Sequence, residues 1–406
     1  MEPPPRPQEH EVPELISKIG GVWAGRELQA EFQQEVANLL RRDGHRQFPG
    51  AQPISFAAQH LDELKKQDYY VCEKTDGLRV LLYMTEDNPG TPHAYQVTYL
   101  IDRRNDYYYI AGMRFPHHEN NPDFQKYHVD TILDGELVED KLPNGGRVIK
   151  YLAFDCLMCD SKDMRQRPLD KRLAYLKEYI LKPYTALFTR NRDEPRPFIF
   201  EDKQTQFSYH LPIMFHEIIP KVKQFHGNDG LIFTCRSTSY QSGTDPKILK
   251  WKPPHDNTVD FLMHIEWAAT RPDPSDPDQS DHADYDSLPA KIGLFTYHGR
   301  NQDYSYIADL YLTPQEWEDL KRKGDPLQDS IVECWLEDTG AQKRWRFYRM
   351  REDKDDANHV SVFESLIQSI EDHITEQDLL SHADAIRNAW KVRNGQGGQT
   401  GMRPPH

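Results

Sequence analysis

The 406-residue sequence predicts an α+β protein of two domains: antiparallel sheets with flanking helices, then a small β-barrel. Three observations predict this. The length exceeds what one core commonly fills, roughly 250 residues. Aromatic and β-branched runs between Tyr69 and Trp251 alternate with turn residues and a few amphipathic stretches. After Pro253-Pro254 the texture changes to five or so short strands with no long helix, which suggests a closed barrel.

The elements follow in order. Residues 1–12 are acidic and proline-rich and are expected to lack fixed structure. Residues 13–253 form the first domain, opening with short helices through residue 66. YYVCEK, RVLLYM, AYQVTYLID and YYYIAGMRF then read as a meander of strands, with Asp87-Asn88-Pro89-Gly90 as one of its turns. TILDGELVED and RVIKYLAFDCL are a further pair, joined at Pro143-Asn144-Gly145-Gly146. Leu169, Leu173, Leu176 and Ile180 share one face of an amphipathic helix. HLPIMFHEIIPKVKQF reads as another helix, and GLIFTC and KILKWK as two more strands. The barrel domain spans 254–362, interrupted at 271–286 by an acidic, proline-containing insertion too polar to order itself. Residues 363–394 read as a helical tail, and 395–406 as a second unstructured end.

Composition narrows the function. Lys and Arg number 50 against 65 Asp and Glu, a formal charge of −15. That disfavours coating nucleic acid by bulk electrostatics and leaves room for a local basic cleft. No run of 18 apolar residues is present, so no membrane helix is expected. Five cysteines, an odd number, fit free thiols in a reducing compartment. Cys156 and Cys159 form a lone C-x-x-C without the second pair a zinc site commonly uses, and read as a buried strand end. Cys159 and Arg165 have C-x₅-R spacing, but the intervening loop is acidic and lacks glycine, so the match is chance. There is no Gly-rich phosphate loop and no G-x-S-x-G elbow.

The sharpest local feature is Glu73-Lys74-Thr75-Asp76-Gly77-Leu78-Arg79, a lysine at a strand–turn junction between apolar runs. Taken alone, Asp-Gly reads as a hairpin turn. A lysine attacks phosphorus only as the free amine, which calls for desolvation or neighbouring cations. Ile248-Leu249-Lys250-Trp251-Lys252 offers two lysines at alternating strand positions, pointing the same way between outward Leu249 and Trp251. Facing Lys74, they would lower its pKa and hold a phosphate. Glu136 and Asp229 lie in acidic turns at strand ends, Leu133–Val138 and Asn228–Phe233, and suit a hard cation or sugar hydroxyls. Arg349, Arg351, Asp353 and Lys354 cluster near the end of the second domain.

In this order the segments resemble the motif series of the covalent nucleotidyltransferases, which includes mRNA guanylyltransferases and ATP-dependent ligases. Lys74–Arg79 resembles K-x-D-G-x-R, and Leu133–Val138, Tyr151–Asp155, Asp229–Phe233, Leu249–Lys252 and Arg351–Lys354 resemble later members of the series. Tyr99–Tyr108 and Lys-Trp-Lys-Pro-Pro at 250–254 resemble capping guanylyltransferases, and Asn358–Val362 resembles their fungal form.

The resemblance implies a nucleotidyltransferase domain followed by an OB-fold. It implies Lys74 as the nucleophile that takes GMP from GTP and passes it to the 5′-diphosphate end of nascent mRNA. Lys250 and Lys252 would hold the α-phosphate, and Arg79 and Glu136 the ribose. Phe154 would stack on guanine, and Arg103 would reach the sugar–phosphate side. Asp229 would help bind Mg²⁺ or Mn²⁺, while Arg351, Asp353 and Lys354 would engage the β and γ phosphates. Pro253-Pro254 would then act as a hinge. The implied partners are a separate RNA 5′-triphosphatase and the phosphorylated C-terminal repeat tail of RNA polymerase II, in the nucleus. The rivals are an ATP-dependent RNA or DNA ligase and a non-catalytic OB-fold RNA-binding protein.

Overall fold

The computed structural model describes residues 10–42, 47–119, 121–192, 194, 196–268, 283–299, 303–340 and 342–396. Residues 1–9 and 397–406 of the ends expected to be unstructured, and 271–282 of the insertion, lie outside these residues, while residues 395–396 are helical, against expectation. The chain divides into two compact units, one of residues 1–54, 59–251 and 377–406, the other of 55–58 and 252–376.

The first unit contains two sheets. In the larger, Val22–Trp23, Tyr107–Ile110, Tyr95–Ile101, Leu78–Asp87, Thr131–Lys141, Arg147–Cys159 and Ile199–Asp202 lie side by side, with Lys162–Asp163 paired on Arg147–Cys159. All pairings are antiparallel except that of Ile199–Asp202, which runs parallel to its neighbour. The smaller has the order Thr205–Phe207, Tyr69–Thr75, Asn228–Cys235, Gly243–Trp251, Ala51–Ser55.

The continuous apolar run of Leu78–Asp87 has a direct cause. Val80, Leu82 and Met84 enter one core, and Leu81 and Tyr83 enter another. A strand covered on both faces needs no polar alternation. The expected meander is corrected at its first member. Tyr69–Thr75 belongs to the smaller sheet, so Asp76-Gly77 is not a hairpin turn but a two-residue crossing between sheets. A Cβ on Gly77 would come within 2.4 Å of the Leu137 carbonyl oxygen, so only glycine allows the crossing to hug the strand Thr131–Lys141.

The second unit is a closed barrel in the cyclic order Thr258–Glu266, Lys291–Tyr297, Tyr304–Tyr311, Lys343–Met350, Ser330–Asp338. Val259, Phe261, Leu294, Val332 and Trp345 fill it. The expected barrel of short strands with no long helix carries one short helix that the sequence reading did not name. Pro314–Lys323 is helical, opened by a Thr313–Glu316 capping box, and buries Trp317 and Leu320 in the barrel core. The helical tail also divides: Val360–Asp372 lies in the second unit, and Glu376–Gln396 from residue 377 onward in the first. There Arg393 binds Asp68 at 2.7 Å. No described helix is long and apolar enough to cross a membrane.

Candidate active site

Lys74 is the penultimate residue of Tyr69–Thr75, just before the crossing between sheets. Its neighbour strand, Asn228–Cys235, is irregular between Asn228 and Leu231. Gly230 adopts φ 143° there. The Asn228 amide braces the irregularity by donating to the carbonyls of Lys74 (3.1 Å) and Gly230 (3.0 Å). The break in pairing turns Asp229 onto Lys74, whose Nζ donates to both carboxylate oxygens at 2.7 and 2.8 Å. Both side chains remain about a quarter exposed, 24% and 28%. The sequence reading expected cations around Lys74. The charge bonded to it is instead a carboxylate.

Lys250 shares the sheet face of Lys74. Ile232 pairs with Cys72 on one side and with Lys250 on the other, and Lys74 lies two residues from Cys72. This face is half-buried, whereas Val71, Phe233 and Leu249 pack beneath it. Leu249 and Trp251, expected to point outward, are buried, because the opposite face of the sheet is core. Lys252 lies one residue past the strand's end.

A second group joins the two sheets. Thr75 donates to Glu136, and Lys203 donates to both, reaching Glu136 at 3.1 Å. Lys203 is 5% exposed. Burial alone would raise the Glu136 carboxyl's pKa, but Lys203 and the Thr75 hydroxyl hold it below the usual range. Glu136 in turn raises the pKa of Lys203 against its desolvation.

The Lys203 ammonium lies 5.5 Å from the centre of the Phe154 ring, and the Arg79 guanidinium 5.6 Å from it. Phe154 reaches this position because it is the extra residue of a bulge. Asp155 pairs with Asp134 and Ala153 with Gly135, which leaves Phe154 unpaired. Arg79 is fixed by a two-pronged contact with fully buried Asp134, at 3.1 and 2.7 Å, and Tyr240 donates to the same carboxylate at 2.6 Å.

The Leu133–Val138 segment is not a strand-end turn. It lies inside the strand Thr131–Lys141, and its glycine serves close packing: a Cβ on Gly135 would sit 2.4 Å from the Tyr151 ring. Arg103 lies on the turn after Tyr95–Ile101, where the buried Asp102 carboxylate accepts from the Arg104 and Asp106 backbone N–H groups at 2.9 and 3.0 Å. Desolvation and then the Arg79 charge lower its pKa, with Glu136 and Asp134 opposing.

In the second unit Arg351 contacts Asp260 at 2.8 Å and Asp353 at 2.7 and 2.8 Å, and Lys354 also donates to Asp260. The Arg351 hydrogen bond is the main cause that lowers the Asp353 carboxyl to about 2. Arg349 donates to Glu333 at 2.6 Å.

Two family models cover nearly the whole chain: mRNA capping enzyme, catalytic domain, over residues 16–254, and mRNA capping enzyme, C-terminal domain, over 256–380. The chain belongs to the mRNA capping enzyme family. It is 45% identical to the mRNA-capping enzyme subunit alpha of Neurospora crassa, over 92% of this chain and 93% of that one. It is 42% identical to the subunit alpha of Schizosaccharomyces pombe, over 95% and 92%, and 42% to that of Yarrowia lipolytica, over 94% and 93%.

Within this capping enzyme fold, sequence reasoning missed Thr75, Asp134, Lys203 and Tyr240 as site-forming groups, and Asp260 in the barrel. Thr75 and Asp134 stand inside segments already singled out, and a buried polar position beside each was the available signal. Lys203 and Tyr240 lie in stretches without pattern, and only the fold brings them to the site. Asp260 is the one carboxylate in an otherwise apolar start of a barrel strand, Val259–Met263, a legible anomaly.

Proposed function

We propose that this capping enzyme is a GTP:mRNA guanylyltransferase that uses Lys74 as its nucleophile. The observation that carries the assignment of Lys74 is its partly exposed position on one sheet face with Lys250, bonded to Asp229 and adjoining the Thr75–Glu136–Lys203 group. In the first step the Lys74 Nζ–Pα bond forms, the bond from Pα to the bridging β-phosphate oxygen breaks, pyrophosphate leaves, and nitrogen sheds a proton. In the second, a terminal oxygen of the RNA 5′-diphosphate attacks Pα, the P–N bond breaks, and Lys74 regains its proton as a GpppN cap forms.

Lys250 and Lys252 stabilise charge developing on the α-phosphate. Phe154 offers a face to guanine, while Arg79 and Glu136, already oriented by Asp134 and Lys203, bind the ribose, and Arg103 approaches the sugar–phosphate side. Asp229 has the hard oxygen donors that would hold Mg²⁺ or Mn²⁺. The ion's contribution when bound is to offset phosphate charge. The Asp229 hold on Lys74 must loosen before attack, since a nucleophilic amine cannot remain an ammonium in an ion pair.

Arg351, Asp353 and Lys354 engage the β and γ phosphates, the barrel unit closing about Pro253-Pro254 for the first step and opening for RNA. The chain works in the nucleus beside a separate RNA 5′-triphosphatase and the phosphorylated tail of RNA polymerase II. The test is incubation with α-labelled GTP or ATP and a divalent metal, followed by a denaturing gel. GTP labels the protein in an acid-labile, alkali-stable bond. Labelling by ATP alone makes it a ligase, and labelling by neither overturns the enzymatic reading.

A further inference from the structure

A second cluster of chemically active side chains lies outside the catalytic group. His117, His118, His128 and Asp160 each direct one ligand-type atom to a common point, and these atoms all lie within 4.8 Å of one another. They come from two separate places in the chain. The three histidines lie between Tyr107–Ile110 and Thr131–Lys141, and Asp160 lies on the turn after Arg147–Cys159.

The hydrogen bonding within the cluster asks for a cation. His128 is fully buried. Its Nε2 faces the Tyr179 carbonyl oxygen at 2.9 Å, which can only accept, so this nitrogen carries the proton. Its Nδ1 faces both Asp160 oxygens, also at 2.9 Å and also acceptors. A neutral ring would set a lone pair against a carboxylate. Either a second ring proton or a metal ion satisfies that contact. The carbonyl on the far nitrogen is the kind of outer partner that fixes a metal-binding imidazole.

His117 Nε2 approaches the same carboxylate at 3.4 Å. His118 stacks on Tyr179, centroids 4.0 Å apart and planes 3° apart, which locks its ring. The His118 Nδ1 is buried and has no hydrogen-bond partner among the described residues. A buried ring nitrogen without a partner is a polar group that a bound ion would satisfy.

We propose that His117, His118, His128 and Asp160 bind one zinc-class transition-metal ion. Three imidazoles and one carboxylate make up a four-coordinate donor set. Bonds of about 2.0–2.2 Å put tetrahedral ligand atoms roughly 3.3 Å apart. Small side-chain rotations therefore suffice to draw in the longest separations, up to 4.8 Å, and to open the 2.9 Å His128–Asp160 contact. Loading Nε2 of His117 moves its ring proton to Nδ1 and costs one exposed hydrogen bond, from the Glu119 N–H.

The site's role is to staple. Asp160 N–H donates to the Thr131 hydroxyl at 2.9 Å, at the first residue of the strand that carries Asp134 and Glu136. Metal on Asp160 thus ties the histidine loop to the start of that strand.

The test uses the full chain, stripped with chelator, re-purified and titrated with Co²⁺ in excess Mg²⁺, which occupies hard-oxygen sites. One equivalent of Co²⁺ gives the visible bands of a four-coordinate ion, and stoichiometric Zn²⁺ abolishes them and raises the melting temperature. His118→Phe, which keeps the stack on Tyr179, and Asp160→Asn each weaken Co²⁺ at least about tenfold. Circular dichroism of both variants shows a cooperative fold. Absence of the bands in the wild-type chain, or bands that persist unchanged in both variants, overturns the site and leaves an imidazolium–carboxylate cluster only.

Discussion

Lys74 is held by Asp229 and its surroundings by Lys203, and these two contacts separate the reacting residue from the residue that positions its neighbours. Lys203 is buried, and it is bonded to Thr75 and Glu136. Lys203→Met leaves Glu136 buried beside an empty place, which costs about 3–5 kcal/mol as for any broken buried pair. Lysyl–GMP formation slows on the order of 10²-fold, the scale of losing one preorganised donor. Urea unfolding and single-turnover labelling measure the two effects. A variant that labels at the wild-type rate would show that Glu136 needs no cation beside it. Lysine chemistry at residue 74 was legible because K-x-D-G-x-R is a local pattern. Lys203 was not, because its partners lie 67 and 128 residues away.

Strand irregularities aim the site's side chains, and their glycines mark them. The bulge at Phe154 stands opposite Asp134-Gly135, where the Tyr151 ring fills the space of a missing Cβ. Tyr151 cannot easily yield, since its hydroxyl donates to the Val80 and Leu133 carbonyls at 3.2 Å each. Gly135→Ala is expected to cost about 3 kcal/mol, read as a lower urea midpoint at unchanged slope.

Beside Lys74, His226 lies between Asp140 at 2.6 Å and Glu73 at 3.2 Å. Desolvation works against its charge, but these carboxylates win and raise it from 6.5 to about 9, with Lys150 facing Asp140 from the other side. A raised pKa stabilises the fold fully below pH 6.5, and the gain is lost as pH rises to about 9. The stability advantage of wild type over His226→Gln should shrink across that window, and a constant difference from pH 6 to about 9.5 contradicts the charged pair.

The elements themselves were largely readable from alternation and turns. What misled was the Asp76-Gly77 dipeptide, which has hairpin chemistry but links two sheets, while the Thr313–Glu316 capping box is a true helix signal that went unread among strands.

Across the whole molecule, the charge of −15 coexists with a few placed cations, several already matched to an acid. Lys74 meets Asp229, Arg79 meets Asp134, and Arg351 and Lys354 meet Asp260. Such pairing orients the cations without a basic coat. A protein that handles one triphosphate and the first nucleotide of an RNA needs no more. The two-unit organisation gives the proposed reaction a clear division of labour. Arg351→Ala or Lys354→Ala should block formation of lysyl–GMP yet spare transfer from adduct already made. Adduct formation at the wild-type rate in both variants would remove the barrel unit from the first step.

The central claim is that Lys74 itself carries the nucleotide. Peptide mass spectrometry of the chain after GTP and metal, without RNA, tests it most directly. GMP should appear on Lys74 alone, and no adduct on Lys74→Ala. GMP on Lys203, Lys250 or any other lysine would contradict it.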